Sequence, residues 1–253
     1  MTEVLQIRVH GTPTLPTLIY LPGLHGDWTL IGDLRKYLAG QVCLVELTYP
    51  RTLEWSLDDY AANIETLLAQ NGITEGWLLG ESYGSQVLWP LVGRGNFKAR
   101  GMILAGGFVR HPLRWLLQGL GKNFNRLPFF ILVWSMYAFT KYSRKCLRRA
   151  NETAADVDEF AVRRTKLDAQ AATHRLYLVS QSDFRPIARA TRLPVFYLSG
   201  LIDPIVPWPW VQHWLKRNCP ALRGCKIIFT ADHNVLGTAS AKAARQIVAW
   251  MNQ

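Results

Sequence analysis

The sequence predicts an α/β protein with a mostly parallel central sheet, helices on both faces of the sheet, and an inserted helical cap. Three observations lead to this prediction. Short apolar runs alternate with segments of helical periodicity in the first and last parts of the chain. The alternation stops between residues 108 and 192, where a helix-like stretch separates two predicted strands. With 253 residues, 49% of them hydrophobic, the chain can form one large core.

The predicted elements follow each other in a regular order. Predicted strands occupy residues 17–21, 42–47, 76–80, 101–105, 195–199 and 226–230. Predicted helices occupy residues 33–38, 86–92, 208–216 and 239–250, and a further helix begins at Ser56. Ser56 and Asp59 form an acidic variant of the capping box, and Gly72 follows the apolar stripe of this helix in the C′ position. Strands alternating with helices favour a parallel sheet.

The inserted segment divides the chain into three parts. Residues 1–107 and 193–253 are predicted to form the two parts of the core, and residues 108–192 the cap. The net charge of +11 is unevenly distributed between them, since residues 108–192 carry +10 and the rest of the chain only +1. A uniformly basic protein is therefore excluded. The basic segment lacks aromatic–basic interleaving and any nucleic-acid-binding motif, so no nucleic-acid partner is predicted.

The cysteines and the N-terminus favour a cytoplasmic protein. Cys43, Cys146, Cys219 and Cys225 form neither a CxxC pair nor another zinc-site spacing, and reduced thiols are the expected state. The first residues carry an early acid and no long apolar run, so we expect no signal peptide. The sequence has no phosphate-binding loop and no metal-ligand cluster, and we predict neither a cofactor nor a metal.

The segment Gly80–Gly84 (GESYG) matches Gly-x-Ser-x-Gly. An apolar strand runs into it and a helical pattern runs out of it, which is the strand–turn–helix setting of a nucleophile elbow. Small residues are needed at both glycine positions because neighbouring chain passes close to the turn. Ser82 is therefore the predicted nucleophile.

A serine hydroxyl needs a base to accept its proton during attack. Of the six histidines, only His233 directly follows the last predicted strand, and it is the predicted base. His111, at the entrance of the inserted segment, is a candidate for substrate contact. Asp203 follows the strand at 195–199 and is the predicted orienting acid. Asp232 competes by proximity, although adjacent residues rarely point their side chains at each other.

The developing oxyanion needs hydrogen-bond donors. The amide of Tyr83, directly after the nucleophile, is one predicted donor. The other is expected from the glycine-rich loop after the strand at 17–21, which reads PGLHG at positions 22–26. Leu24 is the predicted donor in that loop, and His25 is the alternative.

These motifs resemble those of the α/β-hydrolase superfamily. The resemblance spans residues 15–107 and 193–253, where LPGLHGD, LLGESYGS, YLSGLIDPIVP and ADHNVL stand in the family's order. The sequences of these motifs are similar to those of bacterial serine hydrolases near the pimeloyl-carrier methyl ester carboxylesterases. Many members have His-Gly where this chain has Pro22 and Gly23. The resemblance implies acyl hydrolysis through an acyl-enzyme without a cofactor.

The most apolar stretch of the chain, residues 129–139, lies in the inserted segment with basic residues around it. It is too short to span a bilayer. A helix roofing an acyl pocket, a buried structural helix and an interfacial helix on anionic lipid are all compatible with this pattern. The flanking charges could attract a carboxylate- or phosphate-bearing substrate, including one bound to an acyl carrier, or form a solvated face.

The sequence thus predicts a serine hydrolase that cleaves a small carboxylic ester with a partly apolar acyl group. A thioesterase or C–C bond hydrolase with the same three residues is the alternative among enzymes. A non-catalytic ligand-binding protein on the same fold is the alternative outside them.

Overall fold

The computed structural model of the chain describes residues 4–121 and 165–253. Seven strands form one sheet in the order β1-β3-β2-β4-β5-β6-β7. They are β1 (Gln6–His10), β2 (Thr17–Leu21), β3 (Cys43–Thr48), β4 (Glu75–Glu81), β5 (Lys98–Ala105), β6 (Val195–Ile202) and β7 (Leu222–Asp232). β1 pairs with β3 in the antiparallel sense and every other pairing is parallel. The predicted mostly parallel sheet is confirmed.

Nine helices are described in these two ranges, besides a short 3-10 turn at Thr29–Ile31. They are α1 (Gly32–Leu38), α2 (Leu57–Gln70), α3 (Gly84–Arg94), α4 (Arg114–Gly121), α5 (Lys166–Gln181), α6 (Arg185–Ala190), α7 (Trp208–Asn218), α8 (Val235–Thr238) and α9 (Ser240–Met251). All six predicted strands and all five predicted core helices are present within a few residues of the expected ends. The capping box at the start of α2 is also confirmed, with Ser56 and Asp59 bonded reciprocally.

Helices cover both faces of the sheet because alternate strand residues point to opposite sides. In β2, Ile19 and Leu21 belong to one buried apolar cluster, whereas Leu18 and Tyr20 belong to the other. The first cluster includes apolar residues of α2, α3 and α7, and the second those of α1 and α9. Both layers needed to bury a parallel sheet are therefore present.

β1 was not predicted. Its residues are half-buried or exposed, and its only pairing is the antiparallel one with β3. An edge strand of this kind lacks the continuous apolar run that marks the buried strands. Its position follows from pairing with β3, which the sequence of β1 alone does not reveal.

The segment between β5 and β6 contains the predicted insertion. The apolar run at 129–139 and its basic flanks lie outside the described residues, and the boundaries at 108 and 192 stay a prediction. Residues 165–192, the described part of this segment that leads back to the core and is called the return part below, are closely attached to the core. Ser182 Oγ donates a hydrogen bond to Gln86 Oε1 on α3 at 2.6 Å. Ile187 on α6 packs against Gly93 of α3.

Candidate active site

Ser82 lies on the sharp turn between β4 and α3. Its φ is 48°, and within the described ranges it is the one non-glycine residue with a positive φ. A side chain in this left-handed region is strained, and such strain is typical of functional turns. The turn also passes close to β2, since a Cβ atom at Gly84 would lie 2.1 Å from the Leu21 carbonyl oxygen. Glycine at position 84 is therefore a steric requirement.

The structure brings together the three side chains predicted from the sequence. Ser82 Oγ lies 2.8 Å from His233 Nε2. His233 Nδ1 lies 2.8 Å from Asp203 Oδ2. Asp203 and His233 directly follow β6 and β7, so the carboxyl ends of neighbouring parallel strands deliver both residues to Ser82. In this chain of contacts the serine hydroxyl can donate to Nε2 while Nδ1–H donates to the carboxylate.

The Asp203 side chain is fully buried and held from both sides. Its Oδ1 accepts hydrogen bonds from the amides of Ile205 at 2.9 Å and Val206 at 2.8 Å, which leaves Oδ2 facing His233. Asp232 is engaged differently. Its Oδ1 accepts from the Asn234 amide and from the Thr238 hydroxyl, both at 3.0 Å, and so stabilises the turn that begins α8.

The surroundings of His233 raise its pKa above the ordinary histidine value. Burial alone would lower the pKa. The negative charge of Asp203 and its hydrogen bond to the ring raise the pKa, and the charges of Glu81 and Asp232 raise it further, so that together they outweigh the effect of burial. The imidazolium form is therefore stabilised. A base that receives a proton during a reaction benefits from such surroundings.

Glu81 is a site residue that the sequence interpretation missed. It is buried, next to Ser82 in the chain, and its Oε2 accepts a hydrogen bond from the Tyr20 hydroxyl. Burial, followed by the charge of Glu81, raises the pKa of Tyr20 well above its ordinary value, so the phenol remains the donor. The available signal was an ionisable residue at the end of an otherwise apolar strand.

The two predicted oxyanion donors lie at the expected places in the chain. Tyr83 directly precedes α3, so its amide belongs to the positive end of that helix. Leu24 lies in the loop after β2, where the Gly26 amide donates to the Gly23 carbonyl at 3.0 Å and closes a turn. Neither the Leu24 amide nor the Tyr83 amide donates a hydrogen bond to another residue of the described ranges. Their role as donors stays a prediction.

His111, the candidate for substrate contact, is buried beside the site. Its ring packs edge-on against Phe108, and the Leu113 amide donates to its Nδ1 at 3.2 Å. Burial, with the positive charge that His233 can carry, lowers the pKa of His111 to about 4. The ring is therefore neutral at physiological pH.

A second residue that the sequence interpretation missed is Arg175 on α5. It is only 2% exposed, although it belongs to the basic segment. Its Nη1 donates to the Leu24 carbonyl at 3.0 Å and its Nη2 donates to the Pro50 carbonyl at 3.0 Å. No sequence signal separates this arginine from the other basic residues of the segment, because nothing in the local pattern indicates the two distant loops that enclose it.

Across residues 4–121 and 165–253, no group of three His, Cys, Asp or Glu side chains is arranged to hold a metal ion. In the same ranges no helix has the length and apolar character needed to cross a bilayer. Cys43, Cys219 and Cys225 are free thiols.

Comparison with known proteins supplies the family. A family model described as the alpha/beta hydrolase fold matches residues 47–239. No curated protein sequence matches the chain significantly. Among solved structures, a thermophilic esterase from Thermogutta terrifontis is 17% identical, with a TM-score of 0.75 over 98% of this chain and 93% of that one.

Two further structures share the fold at similar distance. An esterase from Exiguobacterium antarcticum is 12% identical, with a TM-score of 0.78 over 98% of this chain and 96% of the other. The enol-lactonase from Burkholderia xenovorans LB400 is 14% identical, with a TM-score of 0.77 over the same shares. At these identities the similarity establishes the fold alone.

Proposed function

We propose that this chain, which belongs to the α/β-hydrolase fold family, is a serine hydrolase that cleaves a carboxylic ester with a partly apolar acyl group. Family membership supports hydrolase chemistry in general. The finer assignment to a serine hydrolase is supported by a continuous series of contacts from Ser82 through His233 to Asp203, with 2.8 Å at each step. The choice of an ester as the substrate rests on the resemblance of the motifs to those of carboxylesterases. This series of three contacting side chains, which begins at a serine with a φ of 48°, is the observation that carries the proposal.

In the proposed reaction, Ser82 Oγ attacks the ester carbonyl carbon while His233 Nε2 accepts the hydroxyl proton. Asp203 holds the ring through Nδ1–H and stabilises the imidazolium. The carbonyl oxygen becomes an oxyanion, which the amides of Leu24 and Tyr83 stabilise. When the tetrahedral intermediate collapses, the bond to the alcohol oxygen breaks and His233 donates its proton to that oxygen. The product alcohol leaves and the acyl group remains on Ser82.

Water completes the reaction through the same groups. His233 removes a proton from a water molecule that attacks the acyl-enzyme, and a second oxyanion forms. Collapse of that intermediate releases the carboxylic acid and returns the proton from His233 to Ser82 Oγ. Apart from this water molecule, no group outside the protein is needed for the balance of protons.

The test combines active-site labelling with a substrate series. Wild-type protein should react with a fluorophosphonate probe at Ser82, identified by peptide mapping, and should hydrolyse p-nitrophenyl esters with a preference among acyl chain lengths. Ser82→Ala and His233→Ala should each lower kcat by about 10⁴-fold or more. The exposed His213 on α7 supplies the matched control, and His213→Ala should retain wild-type kcat.

The outcomes separate the alternatives. Faster turnover of acyl thioesters than of the matching oxygen esters would reassign the substrate to thioesters, with the same three residues. Turnover of neither ester class, together with an unlabelled Ser82, would contradict a serine hydrolase and favour a ligand-binding protein. Full hydrolytic activity in Ser82→Ala would overturn the mechanism.

A further inference from the structure

Arg175 is a buried cation whose partners among the described residues are carbonyl oxygens. Its guanidinium lies between the loop after β2 and the loop after β3, bonded to Leu24 O and Pro50 O at 3.0 Å each. No carboxylate of the described ranges lies in salt-bridge distance of it, and its Nε has no hydrogen-bond partner there. Burying a charge with such partners is costly. Arg175 is therefore not a solvated surface charge, and its buried position needs a structural or functional explanation.

The loop that Arg175 holds is a tight turn. The Gly26 amide donates to the Gly23 carbonyl at 3.0 Å, so Leu24 and His25 are its two central residues. The Leu24 carbonyl belongs to the peptide group between them. Related β-turn types differ mainly in which way this central peptide faces. A hydrogen bond to the Leu24 carbonyl oxygen therefore fixes this central peptide, whose N–H belongs to His25, and anchors the turn directly after the Leu24 amide.

The turn is also shaped to accept the guanidinium. Gly26 has a φ of +85°, and a Cβ atom there would lie 2.4 Å from Arg175 Nη1. The Gly26 carbonyl accepts from the Tyr49 amide at 2.8 Å, and the Arg175 guanidinium carbon lies 5.4 Å from the centre of the Tyr49 ring. Glycine, carbonyl oxygens and an aromatic ring thus enclose the group on several sides.

We propose that Arg175 is a positioning residue for hydrolysis: by anchoring the turn at the Leu24 carbonyl, it holds in place the loop whose preceding peptide group presents the Leu24 amide to the oxyanion. This inference rests on the proposed function, because it assigns a task within the same site. The planar guanidinium contacts two carbonyl oxygens from separate loops at once, which a lysine ammonium on a flexible stem does with less geometric restraint. The residue comes from α5, so the return part of the insertion takes part in ordering the core site.

Such a role acts on the transition state more than on the bound ester. The oxyanion carries its full charge only after attack, so a misdirected Leu24 amide should lower kcat with little change in KM. Loss of one oxyanion donor typically costs about 10²–10³-fold in kcat. For Arg175→Met we expect kcat to fall about 30- to 100-fold, and for Arg175→Lys an intermediate loss, because lysine keeps the charge without the two-point contact.

A second readout isolates the oxyanion. A trifluoromethyl ketone forms a hemiketal with the serine and places an oxyanion near the same donors, whereas the matching methyl ketone resembles the uncharged substrate. Arg175→Met should weaken the trifluoromethyl ketone in proportion to its loss of kcat/KM and leave methyl ketone affinity within about twofold. A general loosening of the fold would weaken both inhibitors.

The matched control is Arg51→Met. Arg51 is another arginine that joins α5 to the loop after β3, since its Nε lies 2.6 Å from Asp168 Oδ1. It has no hydrogen bond to the turn at 23–26 among the described residues. Arg51→Met should keep kcat within about threefold of wild type, although it removes an equally long side chain and one attachment of α5. Circular dichroism melting of all variants establishes that they fold.

The outcomes distinguish the two proposals. If wild-type protein is active through Ser82 but folded Arg175→Met keeps kcat within threefold, the positioning role is wrong and the proposed function stands. If Arg51→Met loses as much as Arg175→Met, attachment of α5 in general is responsible and the role is also wrong. If neither Arg175 variant folds, Arg175 is a stability residue and the inference is overturned. If wild-type protein shows no Ser82-dependent turnover, both proposals fail together.

Discussion

Two buried glutamates of the sheet have different kinds of hydrogen-bond partner. Glu46 on β3 is fully buried and accepts hydrogen bonds from Arg35 Nε at 2.7 Å and Nη2 at 3.1 Å, with His10 Nε2 also 3.1 Å away. Glu81 at the end of β4 accepts from the neutral hydroxyl of Tyr20, and no lysine or arginine of the described ranges forms a salt bridge with it. Its charge acts instead on His233.

The difference indicates what each carboxylate contributes. A permanent cation next to Glu46 compensates the charge, and the arrangement fastens α1 to the sheet. Around His233, both Asp203 and Glu81 supply negative charge to a ring that is neutral at rest in the proposed mechanism and becomes positive when it accepts the serine proton. Carboxylates that lack a permanent cation can favour that change of charge. Substitutions in the two regions should therefore separate activity from stability.

The largest effect is expected for Asp203→Asn. The amide keeps the shape of the side chain but removes the charge and can impose the wrong tautomer on His233, so kcat should fall about 10³- to 10⁴-fold. Because Asp203 raises the pKa of His233, its loss should lower that pKa. His233 acts as a base only when neutral, so residual activity should persist to lower pH. A pH–rate profile of kcat/KM measures both changes.

The control for this variant is Asp232→Asn. Asp232 adjoins His233 in the chain, but its Oδ1 accepts from the Asn234 amide and the Thr238 hydroxyl. Asp232→Asn should therefore lose less than about tenfold in kcat. Equal losses in the two variants would contradict the assignment of Asp203 as the orienting acid.

The next effect concerns stability instead of chemistry. Arg35→Met leaves the fully buried Glu46 with His10 as its remaining potentially charged partner in the part of the chain that the structure describes. Removing one member of a buried ion pair should lower the free energy of unfolding by about 2–4 kcal/mol, measured by urea denaturation. The rate of fluorophosphonate labelling at Ser82, corrected for the folded fraction, should not change.

A double variant checks the cause. Arg35→Met combined with Glu46→Leu removes both charges and should recover much of the lost stability, because no uncompensated carboxylate remains in the interior. A double variant that is no more stable than Arg35→Met would assign the loss to the packing of the arginine stem. A drop in Ser82 labelling in the single variant would break the separation between the two regions.

The contrast between local and distant partners also explains what the sequence could predict. Buried parallel strands are continuous apolar runs, and Gly80–Gly84 carries its own steric requirement, so both were recognisable from neighbouring residues. Asp203 and His233 follow strands that end at the same edge of the sheet, which made their meeting with Ser82 predictable from chain order. β1 was missed because an antiparallel edge strand has no strong local pattern.

Charged groups with partners far along the chain were the other gap. Glu81 meets Tyr20 across 61 residues, and Arg175 meets Leu24 across 151. Neither partner can be identified until the pairing of the strands and the positions of the loops are known. The net charge of +10 over residues 108–192 likewise suggested a surface property, whereas Arg175 from that segment lies inside the protein. Composition counts charges without revealing which of them are buried.

The smallest expected effect tests Glu81 directly. Glu81→Gln preserves an acceptor for the Tyr20 hydroxyl but removes the negative charge that helps to raise the pKa of His233. The acid limb of the kcat/KM profile should move to lower pH by roughly half a unit, which corresponds to about 0.7 kcal/mol. Activity at alkaline pH should change little, because His233 is already neutral there in both proteins.

Tyr20→Phe distinguishes the charge of Glu81 from its hydrogen bond. This variant removes the hydroxyl that donates to Glu81 and keeps the carboxylate beside His233. If the charge is what matters, the acid limb should not move to lower pH in Tyr20→Phe, and stability should fall by about 1–3 kcal/mol because a buried acceptor loses its donor. An equal downward shift in both variants would mean that Glu81 acts on His233 by holding Tyr20 in place. In that case the distinction drawn between the two buried glutamates would lose its electrostatic basis.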